Sequence, residues 1–244
     1  MSGHSKWANI KQKKGKTDAA RGHLFTKIGR EISVAVKAGG PDPDSNAKLR
    51  DVIAKAKQNN MPNDNIARSI KKASGEGGGV DYEAIVYEGY APGGVAVIVE
   101  TLTDNRNRTG GEIRHLFDKF GGSLGQTGCV SYMFKRKGVI LADKTISEDD
   151  MMMLALEVGA EDIITDEDVF EIYCSTQDLF DVAEKLKAGG VTILSQEVDM
   201  IPDNEVNPEG HEETVKKLIN MLDENDDVQN VYHNAILPEE EEEE

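Results

Sequence analysis

Cysteine, aromatic residues and long apolar runs are all scarce in this chain, and each scarcity closes off a class of protein. The 244 residues hold two cysteines, Cys129 and Cys174, each inside a short apolar stretch of strand character, so buried free thiols are expected rather than a disulfide or thiolate metal site. His4, His23, His115, His211 and His233 never stand at metal-ligand spacing from one another or from a cysteine, and no metal site is expected. No run of about 18 apolar residues could span a bilayer, and the N-terminus has no apolar stretch of signal-peptide length. A cytoplasmic protein without a membrane partner is the expectation.

Signatures of catalysis are equally thin. Gly93-Gly94 and Gly121-Gly122 lack the spacing and the lysine of a phosphate-binding loop, so they read as turns. The acids Glu148, Asp149, Asp150, Glu161 and Asp162 suit helix capping and an exposed face, and no nucleophile or base accompanies them. No catalytic residue, cofactor or small-molecule substrate is therefore expected, and the chain does not read as an enzyme.

What the sequence does contain is an uneven distribution of charge. The net charge of −17 divides into 16 Lys or Arg against 6 Asp or Glu over residues 1–72, a net +10, and 12 against 39 over the remainder, a net −27. A basic block on an acidic protein points to a polyanion partner for that block alone. Ser2 to Lys16 has no apolar period and reads as an extended arm, in which Lys6, Lys11, Lys13, Lys14 and Lys16, continued by Arg21, form a dense basic series beside the lone Trp7. Cations with an aromatic ring suit phosphates and single-stranded bases.

The arm leads into a helical segment. Leu24, Ile28, Ile32 and Ala35 share one face of a helix capped by Thr17, and at about 100° per residue Lys27, Arg30 and Lys37 fall on the opposite side with His23. They are read here as a continuation of the basic surface. Asp44 or Ser45 is expected to cap a second helix with Leu49, Val52, Ile53 and Ala56 on one stripe, and a third carries Ile66 and Ile70. After glycine-rich residues 76–79 the period becomes strand-like: strands at 82–90 and 95–103, a helix at 109–120 and a strand at 130–134. Asn105 to Thr109 then form a loop that presents Arg106 and Arg108, with a composition suited to phosphates or base edges.

From Gly138 onward the order is strand 139–142, helix 147–158, strands 162–165 and 169–174, helix 177–188 and strand 192–200, the βαββαβ ferredoxin-like unit. A helix at 212–222 and a strand at 228–232 have no partner in that unit and complete the domain before it. The fold class expected is thus α+β: an N-terminal three-helix bundle followed by two α/β domains, one ferredoxin-like and inserted into the other. The boundaries are 1–76 for the basic helical domain with its arm, 80–134 plus 205–237 for the first α/β domain, 135–204 for the inserted domain and 238–244 for an acidic, solvated tail.

Four stretches carry a family resemblance: Gly3-His4-Ser5-Lys6-Trp7-Ala8-Asn9-Ile10; Arg21-Gly22 with Phe25-Thr26-Lys27; Tyr87-Glu88-Gly89-Tyr90 with Pro92-Gly93-Gly94; and Asp104-Asn105-Arg106-Asn107-Arg108-Thr109. Through them the chain resembles the YebC/PmpR family nearly end to end. That resemblance implies a three-domain protein acting in transcription regulation or in translation, since eukaryotic relatives include a mitochondrial translational activator. Three functions stay open at this point: a DNA-binding transcriptional regulator, a translation factor bound to structured RNA or the ribosome, and an adaptor that binds proteins through its acidic domains. The oligomeric state is not legible in the sequence.

Overall fold

Ile28, Ile32 and Ala35 recur on one side of helix α1 (Asp18–Gly39) and are fully buried against Leu49, Val52 and Ala56 of α2 (Ala47–Gln58) and Ile66 and Ala73 of α3 (Asn63–Ala73). A computed structural model of the chain describes residues 18–75 and 80–237, so the expected Thr17 cap lies outside the described residues. The cap of α2 is Asn46, not Asp44 or Ser45. Its side-chain oxygen accepts from the Leu49 amide at 3.1 Å, while its Nδ2 donates to Ala35 O and Gly40 O, both at 2.8 Å. Only an amide side chain can accept at the start of one helix and donate twice to the end of another, whereas carboxylate cannot donate and a hydroxyl has one proton.

Strands β1 (Glu83–Ala91) and β2 (Val95–Thr103) form an antiparallel hairpin closed by Pro92–Gly94. Gly93 and Gly94 both have φ of 76°, a left-handed conformation that L side chains rarely adopt, so these glycines form the turn their spacing predicts. Helix α4 (Arg106–Lys119) begins three residues earlier than its apolar period indicates, because Asn105 caps it through the Arg108 amide at 3.1 Å. Ile113, Leu116 and Phe117 of α4 are buried, and the two-residue β3 (Ser123–Leu124) pairs with β1.

Residues 128–134 are not one strand. Glu88, 3% exposed, accepts from the backbone amides of Gly128 at 2.8 Å and Val130 at 2.9 Å; those amides are thereby taken from any strand ladder. Cys129 consequently sits half-buried in a bend, residues 131–133 make a 3-10 turn, and the strand starts only at Phe134. Both cysteines are free, and Cys174 is buried as expected.

A second antiparallel sheet follows, built from β4 (Phe134–Asp143), β5 (Asp162–Thr165), β6 (Val169–Cys174) and β7 (Ile193–Pro202) in the order β5-β6-β4-β7. Between its strands run α5 (Glu148–Val158) and α6 (Leu179–Ala188), completing βαββαβ. Met151 and Ala155 of α5 and Leu179, Val182 and Leu186 of α6 close a core with Ile140, Phe170 and Ile172. Ser147 caps α5, and Gly159, at φ 92°, ends it.

The chain then returns to the first sheet through α7 (Glu212–Asp223) and β8 (Val228–His233), which pairs with β2 to give the order β3-β1-β2-β8. The ferredoxin-like unit is therefore inserted between strands of another sheet. Contacts group the described residues into two units, one holding 18–130 and 208–233, the other 131–207 and 234–237. Within the second, Val206 and Ala235 form a parallel bridge.

Close backbone approach makes one glycine of β1 irreplaceable. A Cβ at Gly89 would stand 2.5 Å from Ser123 O and 2.9 Å from the Phe117 ring, so β3 could not close on β1. Gly89→Ala is expected to destabilise the protein by about 1–3 kcal/mol, the usual cost of overpacking, measured by urea unfolding. A wild-type midpoint would show that β3 is free to shift.

Candidate nucleic-acid interface

The polar side of α1 is paired with acids, and its Lys27 and Arg30 are withdrawn from water. His23, Lys27 and Arg30 lie one turn apart, and along the same row His23 Nδ1 is 2.8 Å from Asp226, Lys27 Nζ is 3.0 Å from the Asp223 carboxylate and 2.6 Å from its carbonyl oxygen, and Arg30 pairs with Asp227. Lys27 is buried. Arg30 also donates to Leu102 O at 2.7 Å and stacks its guanidinium over the Tyr82 ring, 5.3 Å from the centroid. Lys37, at the other end of α1, pairs with Asp81. The amphipathic reading of α1 located its polar side correctly, but Lys27 and Arg30 do not form the exposed basic surface expected of them.

Asp227 is the centre of this contact. Its carboxylate is 4% exposed and accepts from Arg30 on one side, and from Arg108 at 2.7 Å and the Thr109 hydroxyl on the other. The Thr103 hydroxyl, 3.3 Å away, completes the shell and itself accepts from the Asn105 amide at 2.9 Å. Burial pushes the Asp227 pKa up, but hydrogen bonds from Arg108, Thr109 and Arg30 outweigh it and hold the group at about 2. Asp227 thereby joins α1 to the end of β2 and the first turn of α4.

Arg106 and Arg108 stand in that first turn, not in a loop. Arg108 is split between Asp104 at 2.7 Å and Asp227 at 2.7 Å, with 42% of its side chain exposed. Arg106 is 70% exposed and only 3.4 Å from Glu83, an arrangement of little consequence for stability. Arg21 is exposed near the start of α1. Lys6, Trp7, Lys11, Lys13, Lys14 and Lys16 lie outside the described residues.

Sequence reasoning passed over another group of cations. Lys48 and Lys57 of α2 and Arg68, Lys71 and Lys72 of α3 are exposed. Arg68, Lys71 and Lys72 recur at helical spacing, a signal that could have singled them out. Two neighbours are committed elsewhere: Lys55 pairs with Glu31 at 2.7 Å, and Arg50 donates to Pro43 O at 2.9 Å and Asp44 O at 3.0 Å. The exposed remainder can neutralise phosphates on rigid helices.

Fold and charge together define a chain that joins a basic three-helix segment to an acidic remainder containing two four-stranded sheets. Residues 5–76 match the family described as TACO1/YebC protein N-terminal domain, and residues 82–235 match the TACO1/YebC second and third domain. A probable transcriptional regulatory protein of Acetivibrio thermocellus is 60% identical over 238 residues, covering 96% of this chain and 98% of that one. Another, from Clostridium novyi, is 60% identical over 244 residues, covering 98% and 99%. The crystal structure of the conserved hypothetical protein Aq1575 from Aquifex aeolicus matches with a TM-score of 0.81 at 49% identity, covering 94% of this chain and 96% of that one. The chain belongs to the TACO1/YebC family.

The ion-pair centre yields a stability prediction with a pH signature. Asp227→Ala leaves two guanidiniums without their shared anion and should cost about 3 kcal/mol, whereas Arg106→Ala should stay within about 0.5 kcal/mol of wild type. The folded pKa of Asp227 lies below the usual carboxylate value, so its contribution is fully present above about pH 4 and is lost as pH falls through about 2. Urea midpoints from pH 7 to pH 2 should converge for wild type and Asp227→Ala at the acid end. Parallel curves would assign the stabilisation to another group.

Proposed function

We propose that the chain is a nucleic-acid-binding regulator of transcription that grips DNA through its helical segment and N-terminal arm, and that it works as a binding protein rather than an enzyme. The observation that carries this reading is the separation of two sets of cations. Lys27 and Arg30 hold α1 against the first sheet, while Lys48, Lys57, Arg68, Lys71 and Lys72 remain exposed on α2 and α3. On an otherwise acidic chain, this outward set is where positive charge stands within reach of a polyanion. The regulatory names of the similar proteins from Acetivibrio thermocellus and Clostridium novyi support this role.

The mechanism is electrostatic. Exposed lysines and Arg68 displace counterions from the phosphate backbone, and their attachment to helices fixes the direction in which the backbone runs. The arm, with Lys6, Lys11, Lys13, Lys14, Lys16 and Trp7, extends the contact, and Arg21, Arg106 and the exposed part of Arg108 could reach further phosphates. The acidic remainder of the chain repels the same polyanion, which confines binding to one end of the sequence. Phosphate contacts of this kind supply affinity and orientation without reading bases.

Replacing Lys48, Lys57, Arg68 and Lys71 with glutamine should weaken duplex DNA binding and flatten its dependence on salt. Each cation that meets a phosphate contributes about 0.9 to the log–log slope. Fluorescence anisotropy at several salt concentrations measures both. An unchanged slope would remove α2 and α3 from the interface, and a marked preference of the wild-type protein for structured RNA over duplex DNA would redirect the reading to translation.

A further inference from the structure

A cleft of about 230 Å³ opens in the basic helical segment between α1, α3 and the start of the first sheet, lined among others by Phe25, Gly29, Ser33, Ser69, Lys72 and Tyr82. It is smaller than the roughly 300–1,000 Å³ that encloses a drug-sized ligand, and suits a single ring system. Two of its walls are aromatic. Phe25 packs on the helical core, and the Arg30 guanidinium over the Tyr82 ring helps to hold it in place. At Gly29 a Cβ would stand 3.5 Å from the Ser69 hydroxyl, an ordinary van der Waals contact, so this part of the cleft is narrow.

The polar groups around the cleft match a base with its phosphate. Ser33 Oγ donates to Gly29 O at 3.0 Å, which leaves its lone pairs to accept from a ring N–H or an exocyclic amine. Lys72 is exposed beside the cleft and continues the run formed by Arg68 and Lys71. A strand whose phosphates follow these cations passes the mouth of the cleft, where an unpaired base could turn in and stack.

We propose that this cleft is a subsite for one unpaired nucleobase. The inference rests on the nucleic-acid reading above and extends it from phosphates to a base. Paired bases cannot enter, because they remain stacked within the duplex. The segment should therefore favour single-stranded or locally opened nucleic acid over a continuous duplex of equal charge.

The test uses the full-length protein with two probes, a short single-stranded oligodeoxynucleotide and an abasic strand of the same length. Wild type should bind the base-bearing strand at least about fivefold more tightly, the lower end of what one stacked base contributes. Ser69→Leu, which narrows the cleft, should lower that preference and leave abasic binding unchanged, with its melting temperature checked in parallel. As a measurement that needs no variant, a strand carrying 5-iododeoxyuridine should photocrosslink to Phe25 or Tyr82, located by mass spectrometry of the digested complex. Equal affinity of wild type for both strands, or an undiminished preference in folded Ser69→Leu, overturns the subsite while leaving phosphate binding intact. Crosslinks confined to residues outside the cleft do the same. Failure of wild type to bind either strand or a duplex overturns the nucleic-acid reading with it.

Discussion

The seat of the helical segment depends on one buried carboxylate. Asp227 accepts from Arg30 of α1 and from Arg108 and Thr109 of α4, so a single anion closes a contact between elements far apart in sequence. A buried charge of this kind is costly unless each lone pair is used, and here the threonine hydroxyls join the two guanidiniums in using them. The Lys27–Asp223 and His23–Asp226 pairs extend the contact along the same helix row. Because α1 is held on this side and packed on its apolar side against α2 and α3, the outward cations of those two helices have a fixed base.

This arrangement divides one basic block between two tasks. The α1 cations facing the first sheet stabilise the fold, and those on α2 and α3 stay available to a polyanion. Counting charge along the chain cannot separate these tasks, since both sets contribute equally to the net value. Burial separates them: Lys27 is 7% exposed, while Lys71 and Lys72 stand in water. The same division places the aromatic cleft beside the available set, between the helix that is seated and the helix that is exposed.

Much of the architecture was legible because it follows local rules. The stripe of Ile28, Ile32 and Ala35 fixed the inner side of α1, and the strand and helix periods after Gly138 gave βαββαβ in the right order. That β8 completes the earlier sheet followed from its having no partner in the ferredoxin-like unit. Errors arose where a polar side chain overrode the apolar period. Asn105 starts α4 before any apolar residue appears, Asn46 takes a cap that Asp44 and Ser45 also suit, and Glu88 withdraws the amides of 128 and 130 from a strand.

Sequence by itself determined most of the elements, their order and the concentration of positive charge at one end, because periodicity, capping chemistry and charge are properties of neighbouring residues. Only the tertiary structure decided what the polar side of α1 faces. A helical period reports that a face is not apolar, and it is equally satisfied by water or by a row of aspartates roughly 200 positions away. Asp223, Asp226 and Asp227 and the polar side of α1 carry no mark of one another until the fold brings them within hydrogen-bond distance, and with that pairing the fold also decides which lysines remain for a partner.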